Sequence, residues 1–125
     1  MQWKDQTCSL ETIKQTLTVF NKEREWGQFH GPRNLAMAVN VEAGELLECF
    51  LWSRDNGKAI IEKNKRSVEA EAADLLISLL NFCCSAGIDL ASATQRKIAE
   101  NADKYPIALA KGRSEKHTEL NKIGD

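Results

Sequence analysis

Apolar positions along the chain group at helical spacing. From Ser9 to Trp26, Leu10, Ile13, Leu17 and Phe20 step by 3, 4 and 3. That is the single stripe of an amphipathic helix, with Thr7 or Ser9 placed to cap its start. Gly27–Arg33 (GQFHGPR) breaks the pattern, and Pro32 suits the first turn of a second helix. Two strongly apolar stretches follow, Asn34–Trp52 and Val68–Cys84, the latter continuing to Ala86 with Gly87 as its stop. Between them Ser53–Ser67 is polar, carries a turn signal at Asp55-Asn56-Gly57 and reads as a connecting loop. Asp89 can cap a fourth helix that runs towards Tyr105 and stops before Pro106. The tail from Lys111 is polar and expected to be loosely held.

No strand-like alternation of useful length and no internal repeat interrupts this pattern. It predicts an all-α protein of four helices. The third helix is apolar almost all round in its middle, so it is expected to be central and most buried. Helices 1 and 4 are too weakly apolar to cover helices 2 and 3. The bundle is therefore expected to be completed by oligomerisation, as a homodimer or homotetramer.

Composition changes the picture only by exclusion. A chain of 125 residues suggests one domain, 1–125, with a core at about 9–106 and a polar tail at 107–125. A net charge of −1 offers no general electrostatic footprint for nucleic acid or membrane. Met1-Gln-Trp-Lys is not followed by an apolar signal region, and acids interrupt both apolar stretches, so neither a signal peptide nor a membrane span is expected. Cys8, Cys49, Cys83 and Cys84 lack zinc-type spacing and read as reduced thiols of a cytoplasmic protein.

The chemistry lies in four carboxylates. Glu42 with Glu45, and Glu71 with Asp74, are pairs at i, i+3, which puts each pair on one helix face. No Lys or Arg lies between Arg33 and Arg54, or between Arg66 and Arg96. One such pair alone is compatible with a solvated face. Two, both on apolar helices without local basic partners, call for a cation or for protonation. Hard divalent cations favour oxygen ligands, and Mg²⁺ takes few carboxylates while keeping several waters.

Other residues narrow the ligand. Lys97, Asn101 and Lys104 share one face of the fourth helix, either a solvated surface or a phosphate-binding face. Trp26, Phe29 and His30 cluster at the break after the first helix, as core or as a stacking surface for a base. No Gly-rich phosphate loop, serine-triad signature or ExxH di-iron pattern is present. An acidic metal cluster, a basic face and an aromatic corner together suit a nucleoside triphosphate.

Glu23–Gly112 resembles the MazG-type all-α nucleoside triphosphate pyrophosphatases, above all their dCTP pyrophosphatase branch. The matching text is EREWGQFHGPRNLAMAV, VEAGELLECFLW, EAEAADLLISLL and KIAENADKYPI. It contains the paired signature ExxE then ExxD, here Glu42-x-x-Glu45 and Glu71-x-x-Asp74. The resemblance implies Mg²⁺ ligation by those four residues, with Mn²⁺ as a substitute. It implies a base pocket lined by Trp26, His30 and Trp52, and nucleotide contacts from Asn34, Lys97, Asn101 and Lys104. The implied reaction is hydrolysis of dCTP or a modified dCTP to the monophosphate and pyrophosphate, a house-cleaning of the nucleotide pool. Three departures stand out: Val41 where other members carry a further Glu, Ser78 where Tyr is expected, and His117 in place of a tail Tyr. Ser78 would enlarge the pocket or leave room for water. Competing expectations are the same fold acting on dUTP or phosphoribosyl-ATP, and a non-catalytic helical interaction module.

Overall fold

Ser9, rather than Thr7, starts the first helix. In the computed structural model, which describes residues 2–122, the Ser9 hydroxyl accepts from the Thr12 N–H at 3.1 Å, while the Thr7 hydroxyl donates to the Lys4 carbonyl. Helix α1 spans Leu10–Glu23 and stops short of the expected Trp26. Glu25 takes a left-handed conformation, and Trp26–Phe29 form a single 3₁₀ turn. Trp26 thereby folds back, its ring meeting Phe20 edge-on at 5.7 Å.

Helix α2, Pro32–Glu48, opens on Pro32 in its first turn as expected. It ends before Trp52, and Trp52 itself is left-handed with φ 67°. The turn that follows depends on Gly57, at φ 87°, where a Cβ would lie 2.7 Å from the Phe50 ring. A side chain there would meet both backbone strain and a clash.

The expected loop 53–67 is largely helix. Helix α3 spans Lys58–Ala86, with a kink at Asn64 where the backbone leaves helical geometry. Ala59, Ile60, Glu62 and Lys63 sustain helix well enough despite the polarity of the stretch as a whole. Two side chains anchor the start: the Ser53 hydroxyl accepts from the Gly57 N–H at 2.7 Å, and an Asp55 carboxylate oxygen accepts from the Ala59 N–H at 2.8 Å. These contacts satisfy donors that a helix start otherwise leaves open. Gly87 stops the helix in a left-handed conformation, as its position suggested.

Helix α3 is central, packing against both α2 and α1. Leu35, Leu80 and Cys83 are buried. It is not enclosed all round, however, since Leu76 and Ile77 are each 37% exposed. The Lys14 ammonium donates to the Ile88 carbonyl at 2.9 Å and ties α1 to the segment after α3.

The chain divides into two compact units, one ending at Ile88 and one beginning at Asp89. The second holds α4 (Leu90–Lys104), α5 (Ile107–Ala110) and α6 (His117–Leu120). Asp89 caps α4 by accepting from the Ser92 N–H at 2.9 Å. The tail is better held than its polarity predicts. Leu120 is 2% exposed, His117 meets the Tyr105 ring edge-on, and Arg113 pairs with Glu115 at 2.9 Å. The last part of the expected polar tail, 123–125, lies outside the described residues, as does position 1.

All four cysteines are free, with Cys83 buried and Cys84 exposed. No single described helix is long and apolar enough to cross a membrane.

Candidate active site

Packing of α2 on α3 turns two local acid pairs into one cluster. An oxygen from each of Glu42, Glu45 and Glu71 falls within 4.8 Å of the others. Glu42 and Glu71 are half-buried and Glu45 is exposed. One oxygen of Glu42 and one of Glu71, Oε2 in each, are buried without a hydrogen-bond partner. Asp74 stands outside the three-residue set but contributes its charge to both Glu42 and Glu71.

The electrostatics follow from that arrangement. Burial, then a hydrogen bond and charge from Glu45, then the charges of Asp74 and Glu71, hold the Glu42 carboxyl above the usual range. Glu71 is pushed up by burial, then by Glu45, Asp74 and Glu48. Desolvation and like charge both disfavour the ionised form. The ion pairs among the described residues join Arg24–Glu23, Lys65–Glu69, Lys97–Glu100 and Arg113–Glu115, and none reaches this cluster. Converging carboxylates with orphaned, inward oxygens fit a hard divalent cation, which such oxygens would ligate.

Glu48 is a residue that the paired motif does not mark. It continues the Glu42, Glu45 face by a further three positions, and its charge reaches Glu71. Val41, where a further acid would stand by resemblance, is 56% exposed.

A cavity of about 360 Å³ opens farther along α3. Phe20, Trp26 and His30 line it from α1 and the 3₁₀ turn, and Ile77, Ser78 and Asn81 from α3. The Ser85 hydroxyl donates to the His30 carbonyl at 2.9 Å, holding the turn beside the helix. A larger cavity, about 510 Å³, shares Asn21, His30 and Asn81 but has neither Phe20 nor Trp26 in its wall. The smaller one therefore suits a flat ring better.

The structure brings together only part of the predicted set. Trp26 and His30 face the 360 Å³ cavity. Trp52 does not line it, and is 94% exposed. Asn34 lies outside too, its amide donating to the Phe29 carbonyl at 3.2 Å. Lys97, Asn101 and Lys104 are exposed on α4 in the second unit, and the Lys97 ammonium lies 2.9 Å from Glu100. Phe20 reads from sequence only as part of the packing stripe of the first helix, and Asn21 and Asn81 carry no mark in the pattern of apolar positions. A signal existed for Asn81: Glu71, Asp74, Ser78 and Asn81 step by 3, 4 and 3 along one face of α3.

An all-α fold with clustered acids on two packed helices defines a class, and the comparisons agree with it. Residues 37–120 match the model of the MazG-like family, and the chain belongs to that family. It is 36% identical over 115 residues to dCTP pyrophosphatase 1 of Mus musculus, which covers 90% of this chain and 68% of that protein. The Homo sapiens dCTP pyrophosphatase 1 gives the same identity and coverage. The crystal structure of a pyrophosphatase from Archaeoglobus fulgidus is similar with a TM-score of 0.75 at 37% identity, covering 84% of this chain and 99% of that one.

Proposed function

We propose that this protein is a Mg²⁺-dependent nucleoside triphosphate pyrophosphohydrolase that cleaves dCTP, or a modified dCTP, to the monophosphate and pyrophosphate. The observation that carries the reading is the convergence of Glu42, Glu45 and Glu71 within 4.8 Å, with two buried oxygens lacking partners. It is a nucleotide hydrolase whose own residues divide into three tasks.

Glu42, Glu45, Glu71 and Asp74 would hold the metal. When bound, a divalent cation supplies Lewis-acid stabilisation of phosphoryl oxygens and activation of water. Water attacks the α-phosphorus, the α–β bridging P–O bond breaks, and pyrophosphate leaves with the electron pair. A glutamate of the cluster would accept the proton of that water.

Trp26 and His30, with Phe20, hold the base in the cavity beside Ser78. A stacking ring and an imidazole exclude water around the base and fix its plane. Lys97, Asn101 and Lys104 serve the phosphates, and Asn34 and Trp52 the nucleotide, on the strength of the family resemblance. We assign the work to the cytoplasm, in pool cleaning.

The active form is a homo-oligomer. Met37, Val41, Leu47 and Leu51, each more than half exposed, support that reading, since large apolar side chains left open on a helical protein suit an interface between copies.

Pyrophosphate release from a panel of dNTPs, with and without Mg²⁺, tests the reading. Glu45→Gln and Asp74→Asn should each abolish turnover with the helical circular dichroism retained. Retained turnover in both folded variants would sink the site assignment.

A further inference from the structure

Phe20 lines the 360 Å³ cavity, and the residue that holds its ring does not. The Arg24 guanidinium lies over that ring, its central carbon 3.6 Å from the ring centre and well within cation–π distance. Arg24 Nη1 also donates to the Phe20 carbonyl at 3.0 Å and lies 3.5 Å from the Glu23 carboxylate. The Phe20 ring in turn meets Trp26 edge-on, with the two planes at 73°.

These contacts arise where α1 ends. In a continuing helix the Arg24 N–H would bond the Phe20 carbonyl. It bonds the Asn21 carbonyl instead, at 3.3 Å, and Glu25 after it turns left-handed. The Phe20 carbonyl is among the acceptors that a helix end leaves open, and the guanidinium fills it. A cation is also favoured at that end of a helix. Phe20 and Arg24 stand at i, i+4, the spacing that puts two side chains on one face. One side chain therefore caps α1 and covers a ring of the cavity wall.

Burial does not do this work. Phe20 and Trp26 are 40% and 44% exposed, and α1 contains no buried residue. A ring that is free until a ligand arrives must be ordered at the moment of binding, and that entropy is subtracted from affinity. We infer that Arg24 is a positioning residue of this cavity: laid over Phe20, it fixes the planes of Phe20 and Trp26 before a flat ring enters. The inference rests on the nucleotide reading above and deepens it by a residue that acts on the ring of the ligand and leaves the phosphates alone.

A split between ligands with and without a ring tests this. In Arg24→Lys the ammonium keeps its charge at the helix end but has no flat face to lay over Phe20. By calorimetry on the full chain with Mg²⁺, the α,β-imido analogue of dCTP should bind about two- to fivefold more weakly, the size of one cation–π contact at a partly exposed site. Inorganic triphosphate, which has no ring, should bind as it does to the native chain. In hydrolysis the loss should fall on KM rather than on kcat. In a Phe20→Leu background, Arg24→Lys should add nothing further, because Arg24 acts through that ring. With 5-fluorotryptophan at all three tryptophans, the Trp26 fluorine resonance should shift and broaden in Arg24→Lys, while those of Trp3 and Trp52 stay put.

Equal weakening of both ligands would overturn the inference, since a merely structural role at the end of α1 gives that result. So would unchanged binding of the imido analogue, an unmoved Trp26 resonance, or additive losses in the double variant. Ring-selective weakening without pyrophosphate release would uphold the clamp and remove the hydrolase reading. A native chain that binds neither ligand would end both.

Discussion

Asp55 stands in the turn just before α3 and Glu71 within that helix, yet their surroundings pull their proton affinities apart. The Asp55 carboxylate accepts from the Ala59 N–H, with the Ser53 hydroxyl beside it, and these contacts hold it below the ordinary value. Glu100 and Glu115 are lowered in the same sense by Lys97 and Arg113. Glu71 and Glu42 have no such partner. Burial and neighbouring acids raise both. A carboxylate that holds the fold together is met by a donor or a cation within the chain. One that the chain leaves facing other acids is relieved by a proton or by a cation. The difference sets Glu42 and Glu71 apart from the partnered acids more sharply than exposure does, because members of both groups lie near the surface.

The comparison can be broken most directly at Glu71. Glu71→Gln should reduce pyrophosphate release by on the order of 10²–10³-fold, the usual loss when a group that stabilises charge in a transition state is removed. The same change should raise the melting temperature of metal-free protein, since a repelled charge disappears. A fall in melting temperature would mean that Glu71 is paired after all.

Metal titration comes next in size. At a hundredfold excess over the dissociation constant, Mg²⁺ should stabilise the native protein by about 2.7 kcal/mol through mass action. Thermal melts with and without chelator check this, and the gain should vanish in Glu71→Gln. Asp55→Ala should behave in the opposite way, lowering the melting temperature by roughly 3 °C through loss of the contacts at the helix start, with the Mg²⁺ gain unchanged.

The smallest effect is in pH. Glu42 and Glu71 bind a proton more tightly in the folded state than at the ordinary value of 4.5. Metal-free protein should therefore lose stability as pH rises from about 4.5 through their raised values, then level off. Asp55, Glu100 and Glu115 act in the other sense. Their contribution is present above their ordinary values and is lost as pH falls through the lowered ones. Melting temperature against pH in chelator should accordingly rise from strong acid, pass a maximum, and decline. In saturating Mg²⁺ the decline should disappear.

Much of this was readable before the fold was known. The i, i+3 acid pairs, the caps at Ser9 and Asp89, Pro32 in a first turn and Gly87 at a helix end are decided by neighbours within one helical turn. The misreadings have the same root. The polarity of 53–67 and its Asp55-Asn56-Gly57 turn signal point to a loop. Anchoring by Ser53 and Asp55 then gave α3 an early start. Likewise, the polarity of the tail hid Leu120, which is buried all the same.

Local sequence thus determined which faces of which helices carry acids, rings and amides, since a face is fixed by the 3.6-residue period alone. Only tertiary packing decided which faces meet. It brought Glu42 and Glu45 against Glu71, drew Glu48 into their field, and left Trp52 outside the cavity. It also joined Asn21 to Asn81 over a separation at which no local preference acts. Contacts between distant helices depend on how their apolar stripes dock, and a sequence read turn by turn does not contain that geometry.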